Sequence, residues 1–413
     1  MSLEIHLDWG GTTHFVGRLF TAGRGTAVSF EYTAEWLAHP AAMAIDPTSL
    51  PLRRGMMHSP TLFGVIQDCG PDRWGRALIQ RAVRKQVLDA RPYQDLDYVL
   101  ALDDFSRIGA LRFRQAAGQP FLTANTGKLP PIVQLPALLR ATEAIHHETE
   151  TAQDLRFLLG HGSPLGGARP KSAVALAEGS LGIAKFPKPD DLRDIAAGEV
   201  LALTLARAAG IHVADHRLVR LAGRNGVAVI TRFDRVDGQR VPFISGASLL
   251  GLPVGGQGSY TMLADAIRQY GDDVPGDLRE LWRRMVFSLL VSNYDDHLRN
   301  HAFIMRHAGR WSLSPAYDLN PVPEVERADM TQTAITEEGA EPSLDAALAA
   351  APRFGLAQPT AKLVLREVVD AVTEWRAAGK RLRIKTGTLD AYESAFEHER
   401  LREARGMVKS QTG

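Results

Sequence analysis

The sequence predicts an α+β fold, with antiparallel strands concentrated before residue 236 and helices after it. Three observations carry this. Alternating runs such as Leu3-Glu4-Ile5-His6-Leu7-Asp8 stand between Gly-rich turns in the first part of the chain. Apolar residues at helical spacing, Leu278, Leu281, Trp282, Met285, Leu289 and Leu290, mark the second part. That helix leads into a polar loop, and a hairpin pattern follows it.

The composition narrows the class. With 413 residues, 45% hydrophobic and 23% charged, the chain is long enough for a bilobed enzyme with an added module and is not of a disordered kind. A net charge of +1 leaves no nucleic-acid footprint, and the cluster Lys380, Arg381, Arg383 and Lys385 reads as solvated surface. Cys69 is the single cysteine, so no internal disulfide forms and a reducing, cytoplasmic location is expected. Residues 1–11 lack the basic and apolar regions of a secretory signal. No apolar run of about eighteen residues is present to cross a membrane, and none is expected as a partner.

In chain order, residues 3–8 and 15–20 flank Gly10-Gly11 as a hairpin. Asp8-Trp9-Gly10-Gly11-Thr12 also has the pattern of the phosphate-binding turn of actin-like sugar kinases, in which glycines admit backbone N–H groups to a phosphate and the Asp holds a metal. A plain β-turn is the preferred reading. Residues 74–81 read as a helix capped by Asp72, 96–102 as a second helix and 108–113 as a strand. The Gly-, Pro- and Thr-rich stretch 115–131 reads as a boundary, and 135–147 as a helix.

A Gly-rich loop, Gly160-His161-Gly162-Ser163-Pro164-Leu165-Gly166-Gly167-Ala168-Arg169-Pro170-Lys171, leads into strands at 172–177 and 181–186. Phosphates need converging backbone donors without Cβ clashes and a nearby lysine, for which Lys171 and Lys185 both qualify. A lysine in the apolar run Gly182-Ile183-Ala184-Lys185-Phe186 needs an anionic partner, and Glu199 on the helix 194–209 is the candidate. Strands follow at 216–221 and 226–233 around Arg224-Asn225-Gly226. The second ends in a hinge-like Thr231-Arg232-Phe233-Asp234-Arg235, where Phe233 is placed to stack on a base. From there to the polar loop the chain reads as helical without further strands. Beyond a hairpin at 302–305 and 311–313, helices are expected at 344–351, at 360–378 with Leu363, Val364, Val368, Val369 and Val372 inward, and at 390–405.

The polar loop is Ser292-Asn293-Tyr294-Asp295-Asp296-His297-Leu298-Arg299-Asn300. Asp295 precedes Asn300 by five residues and Asp318 follows the hairpin, the order in which protein kinases arrange base, metal ligand and metal ligand. Asp295 is therefore the candidate catalytic base, and Asn300 and Asp318 the oxygen ligands of Mg2+. Asp296 is the rival base but lacks the five-residue offset. His297 and His301 have helical zinc-ligand spacing on the wrong scaffold, with no third ligand.

These residues resemble the HipA-type serine/threonine kinases, toxins of bacterial toxin–antitoxin pairs. The resemblance extends over nearly the whole chain. It rests on six stretches in order: Gly70-Pro71-Asp72-Arg73-Trp74-Gly75, Ser106-Arg107-Ile108-Gly109-Ala110-Leu111, Leu165-Gly166-Gly167-Ala168-Arg169-Pro170-Lys171, Arg232-Phe233-Asp234-Arg235, the Asp295 loop and Pro315-Ala316-Tyr317-Asp318. It implies a bilobed protein-kinase-like fold: an N-terminal α/β subdomain at 1–115, a linker at 116–131, an ATP-binding small lobe with an antiparallel sheet at 132–235 and a largely helical large lobe at 236–413. By resemblance, Asp295 is the base, Asn300 and Asp318 bind Mg2+, Lys185 binds phosphate, and Thr231 and Phe233 line the adenine of ATP. Residues 163–171, with Gly166, Gly167 and Ala168, are the mobile phosphate-binding loop.

The resemblance also implies a protein substrate such as an aminoacyl-tRNA synthetase, and a HipB-like antitoxin through which alone DNA is reached. One departure stands out. Where the family's loop often carries a self-phosphorylated serine, this chain has Pro164, with Ser163 adjacent but out of register. Either Ser163 substitutes or regulation rests on a partner. Two other readings remain: a non-catalytic nucleotide-binding regulator, and a small-molecule kinase using the turn from Asp8 to Gly11.

Overall fold

The structure is a computed structural model of the chain, and it describes residues 2–21, 25–122, 130–159, 167–221, 225–328, 330–339 and 341–409. β1 (Ser2–Trp9) and β2 (Thr12–Thr21) pair antiparallel, with Trp9 opposite Thr12. The link is Gly10 and Gly11 at φ 59° and 76°, a two-residue turn that glycine enters without strain. β3 (Val28–Tyr32), α1 (Ala34–Leu37), β4 (Met57–Ser59), α2 (Gly64–Asp68), α3 (Arg73–Arg84), α4 (Asp95–Leu100) and β5 (Leu111–Arg114) follow. The sheet order is β4-β3-β2-β1-β5. The alternation in β1 predicts one wet face, yet Glu4 and His6 are buried along with Leu3, Ile5 and Leu7. Arg114 compensates, donating to Glu4 at 2.7 Å.

α5 (Leu135–His146) and α6 (Ala152–Leu159) come next, residues 123–129 of the expected linker lying outside the described residues. β6 (Lys171–Ala175) and β7 (Leu181–Lys185) form the expected hairpin, with Lys171 opposite Lys185. α7 (Ile195–Ala208) begins where Asp194 accepts from the Ala197 N–H at 2.9 Å and stops before Gly210 at φ 79°. β8 (His216–Val219) and β9 (Val227–Thr231) follow, with 222–224 of their expected turn outside the described residues.

The next region departs from the expected strand-free reading. It holds β10 (Arg235–Val236), β11 (Gln239–Arg240), β12 (Phe243–Ser245), α8 (Gly246–Leu249), β13 (Gly258–Ser259) and α9 (Tyr260–Tyr270). Strands of two or three residues are too short to print an alternation on a sequence. α10 (Val274–Leu290) then buries all six residues that predicted it. β14 (Ala302–His307) turns at Gly309, φ 72°, into β15 (Arg310–Leu313).

The two-residue β16 (Thr333–Ala334) lies parallel to β13. α11 (Leu344–Ala350), α12 (Gln358–Thr373), α13 (Trp375–Arg381), α14 (Thr386–Ala391), α15 (Glu393–Phe396) and α16 (Glu399–Lys409) complete the chain. Two expectations are corrected here. Leu363 is 54% exposed while Leu365 is buried with Val364, Val368, Val369 and Val372, because position 363 falls one helical step outside that stripe. The single helix expected at 390–405 is interrupted at Tyr392 and again at Glu397, where the His398 ring takes the Leu401 N–H as a new helix starts.

The chain divides into two compact units. The first comprises Met1–Asp190, Val229–Pro253 and Phe303–Arg310, and the second Asp191–Ala228, Val254–Ala302 and Trp311–Gly413. In the first, the β1–β5 sheet buries Leu3, Ile5, Val16, Leu19, Phe30 and Phe113. In the second, α10 packs against α9 and α12 around Trp282, Phe287 and Val368. Among the described residues no helix is long and apolar enough to cross a membrane.

Candidate functional site

The polar loop belongs to the second unit, and its backbone is fixed at both ends. Ser292, at φ 54°, turns the chain out of α10, and the Asn293 N–H returns to Ser288 O at 2.9 Å. The Ser292 carbonyl accepts from Val322 N at 3.0 Å and the Asn293 side chain from Asn320 N at 3.0 Å, so the segment after Asp318 is docked on the start of the loop. Asp318 itself is left-handed at φ 58° and accepts from the Asn320 side chain at 3.1 Å. Tyr317 beside it donates to Arg299 O at 2.7 Å.

The adjacent aspartates face opposite ways. Asp295 is exposed, and its Oδ1 accepts from Gln332 Nε2 at 2.6 Å. Asp296 is 3% exposed, takes the Tyr260 hydroxyl and lies 3.1 Å from His301 Nε2. Burial works to raise the Asp296 carboxyl, but His301, Tyr260 and His297 together hold it below the usual carboxylate range. Burial pushes the Tyr260 phenol upward. Asp296 is thus committed to internal partners, and of the two Asp295 is the one presented to solvent.

Asn300 is buried, and its Nδ2 clips back to the Asp295 carbonyl at 2.9 Å. Its Oδ1 is buried with no hydrogen-bond partner. Such an orphaned oxygen is costly unless something outside the protein binds it, and a hard, oxygen-seeking cation suits it. His301 is turned to Asp296, and among the described residues no group of three His, Cys, Asp or Glu side chains is placed to hold a metal ion. Glu199 in the same unit is 2% exposed on α7.

The first unit holds the other candidates. Lys185 is 7% exposed at the end of β7. Lys171 Nζ lies 2.6 Å from Asp72 Oδ2, and Asp72 Oδ1 at the same time caps α3 by accepting from Gly75 N at 2.8 Å. Of the Gly-rich loop, Gly167 sits at φ 116° and accepts from the Trp74 N–H at 3.3 Å, and Ala168 is exposed. Ser163, Pro164 and Gly166 lie outside the described residues. Thr231 ends β9, and the Phe233 ring stacks on Phe243 at 6.3 Å. Asp8 accepts from the Thr13 hydroxyl at 2.5 Å and lies 3.4 Å from Arg240 and 3.7 Å from Arg112. Its turn links two strands, with no helix N-terminus to receive a phosphate.

Two further motif stretches meet inside this unit. Asp234 accepts from Arg232 Nη2 and Arg235 Nη1, each at 2.6 Å, and from Gly109 N at 2.8 Å. Arg232 also donates to Ser106 O at 2.6 Å, and Arg235 to Arg107 O at 2.8 Å. Burial opposes ionisation of Asp234, but the two guanidiniums hold it far below the usual range. The geometry makes this pair of motifs a structural clamp. Sequence reading missed Gln332, Tyr260 and Asn320; the first two flank two-residue strands, and none sits in a pattern that spacing rules detect.

These elements and this loop define a protein-kinase-like fold. The chain belongs to the HipA family: residues 163–376 match the HipA-like C-terminal domain and residues 9–114 the HipA N-terminal domain. A Haemophilus influenzae protein whose name carries the word kinase is 31% identical over 157 residues, 34% of this chain and 46% of that protein. A second such protein, from Sinorhizobium fredii, is 29% identical over 246 residues, 53% of this chain and 58% of that protein. The chain thus spans about half the length of these two relatives. The Shewanella oneidensis HipA, solved with HipB and operator DNA, is similar at TM-score 0.68 and 19% identity over 99% of this chain and 98% of that one, which shows a shared fold.

Proposed function

We propose that this protein is an ATP-dependent serine/threonine protein kinase in which Asp295 takes the proton of the acceptor hydroxyl. The observation that carries this reading is the loop itself, in which Asn300 holds the Asp295 backbone with one side-chain atom and leaves the other, a buried oxygen, unpartnered. Asn300 and Asp318 would hold Mg2+, which when bound neutralises charge on the phosphates. Lys185 would neutralise the ATP phosphates, Glu199 is a further candidate for nucleotide binding, and Thr231 and Phe233 would line the adenine. Lys171, bound to Asp72, would anchor the loop carrying Gly166, Gly167 and Ala168 rather than contact phosphate.

The solved HipA, whose complex contains HipB and operator DNA, supports a HipB-like antitoxin as partner. The motif resemblance suggests a translation-related target such as an aminoacyl-tRNA synthetase, with DNA reached only through the antitoxin, and the single cysteine favours a cytoplasmic setting. The test is expression of wild type beside Asp295→Ala with phosphoproteomics of the host. The expected result is growth arrest and one dominant new phosphosite with wild type alone; identical profiles would sink the kinase reading. Intact mass after incubation with ATP, followed by peptide mapping, assigns or removes Ser163 as a self-phosphorylation site.

A further inference from the structure

An exposed aspartate samples several rotamers, whereas a general base must present its carboxylate in one orientation. In this chain the Gln332 side-chain amide donates to Asp295 Oδ1 at 2.6 Å. Gln332 is itself exposed, so its own position must come from its backbone. The next residue opens β16, and the parallel ladder pairs Gly258 with Thr333 and Ser259 with Ala334. Thr333 and Ser259 are 2% and 1% exposed. The residue after β13 is Tyr260, whose hydroxyl binds Asp296. One small ladder therefore grips both aspartates, from Gln332 just before one strand and Tyr260 just after the other. A second tie closes the far side, where the Thr261 hydroxyl donates to Glu337 at 2.7 Å.

We infer that Gln332 is a positioning residue for the candidate base, turning the Asp295 carboxylate toward the acceptor hydroxyl and coupling its orientation to the segment that follows Asp318. This rests on the kinase reading above.

The experiment uses the full chain with MgATP, and because the acceptor is unidentified, a mixed serine/threonine peptide library as the probe. Gln332→Ala removes the donor; Gln332→Glu keeps the shape and sets a repelling carboxylate against Asp295. The expected result is a roughly ten- to hundredfold loss of kcat in Gln332→Ala, a larger loss in the near-isosteric Gln332→Glu, and KM for ATP and calorimetric MgATP affinity unchanged in both. A merely structural role predicts the reverse order, with Glu tolerated better than Ala. Wild-type turnover in both variants, with Asp295→Ala inactive, overturns the role of Gln332 and leaves the kinase reading standing. No transfer by wild type, or equal transfer by Asp295→Ala, overturns the kinase reading and the role of Gln332 with it.

Discussion

Lys171 Nζ lies 2.6 Å from Asp72 Oδ2, with both side chains 2% exposed, so a lysine at the foot of the Gly-rich loop is bound to the cap of α3. The arrangement explains why a Gly-Pro-Asp turn and a Gly-rich loop about a hundred positions later belong to one pattern. Asp72→Ala is expected to leave a buried ammonium without its carboxylate, at about 3–5 kcal/mol, with about 1 kcal/mol more from the lost cap. Asp72→Asn keeps a capping oxygen and should cost less than Asp72→Ala. Urea unfolding of both, beside the double variant Asp72→Leu/Lys171→Met, measures this. A loss below about 1 kcal/mol in Asp72→Ala would show that the pair contributes little beyond an exposed one.

Asp234 gives the motif clamp a pH signature. Its folded-state carboxyl is held below the ordinary value, so the unfolded chain binds the extra proton first. Its contribution is therefore fully present above the unfolded value of about 3.9 and is lost as pH falls below it. Asp234→Asn should destabilise at pH 7 by about 3–5 kcal/mol, as for a broken buried pair. The gap to wild type should stay constant from pH 8 to 5 and narrow below about pH 4. A gap that closes already near pH 6 would mean that another group sets it.

The sequence made the main elements legible because their periodicities are long: α10, α7, the β6–β7 hairpin and the first hairpin all form within a few residues of their expected bounds. The direction of the adjacent aspartates was only half legible. The five-residue offset singled out Asp295, but nothing local says that Asp296 points inward, since Tyr260 lies 36 positions away. Asp72 read as a cap and proved to be a cap and an ion-pair partner, because its second oxygen meets a residue 99 positions later. Short strands such as β13 and β16 stay invisible for the same reason: their partners are distant, and two residues carry no pattern.

Opposite facing of Asp295 and Asp296 predicts opposite phenotypes. Asp295→Ala, at an exposed site, should change unfolding free energy by no more than about 0.5 kcal/mol. Tyr260→Phe should cost about 1–3 kcal/mol, because it strips a donor from a buried carboxylate, and Asp296→Ala should destabilise through the abandoned Tyr260 and His301. Thermal unfolding of the three variants decides. A larger loss in Asp295→Ala than in Asp296→Ala would contradict the burial assigned to each.

His398 sets a pH dependence in the second unit. Its ring is 9% exposed, bonds to the Leu290 carbonyl at 3.0 Å from Nε2, and takes the Leu401 N–H at Nδ1. These partners require the neutral tautomer that donates at Nε2 and accepts at Nδ1. Burial first, with Arg400 and Arg327 adding to it and the Leu290 bond and Glu397 opposing, brings the imidazole down from 6.5 to about 4. The folded value is the lower one, so between pH 6.5 and about 4 the unfolded chain holds more protons and stability falls as pH falls. The stabilisation is fully present above pH 6.5, and the loss totals about 3 kcal/mol at about 1.36 kcal/mol per pH unit. Asp277 works the other way: burial pushes its carboxyl up to about 6, so acidification relieves a cost there. That term is common to wild type and His398→Gln, whose amide still reaches toward Leu290 but does not titrate. Urea midpoints of the two proteins should therefore run parallel from pH 8 to 6.5 and diverge from 6.5 to 4, wild type losing more. Curves that stay parallel throughout would show that His398 is protonated in the folded chain and that a different group holds the α10 end in place.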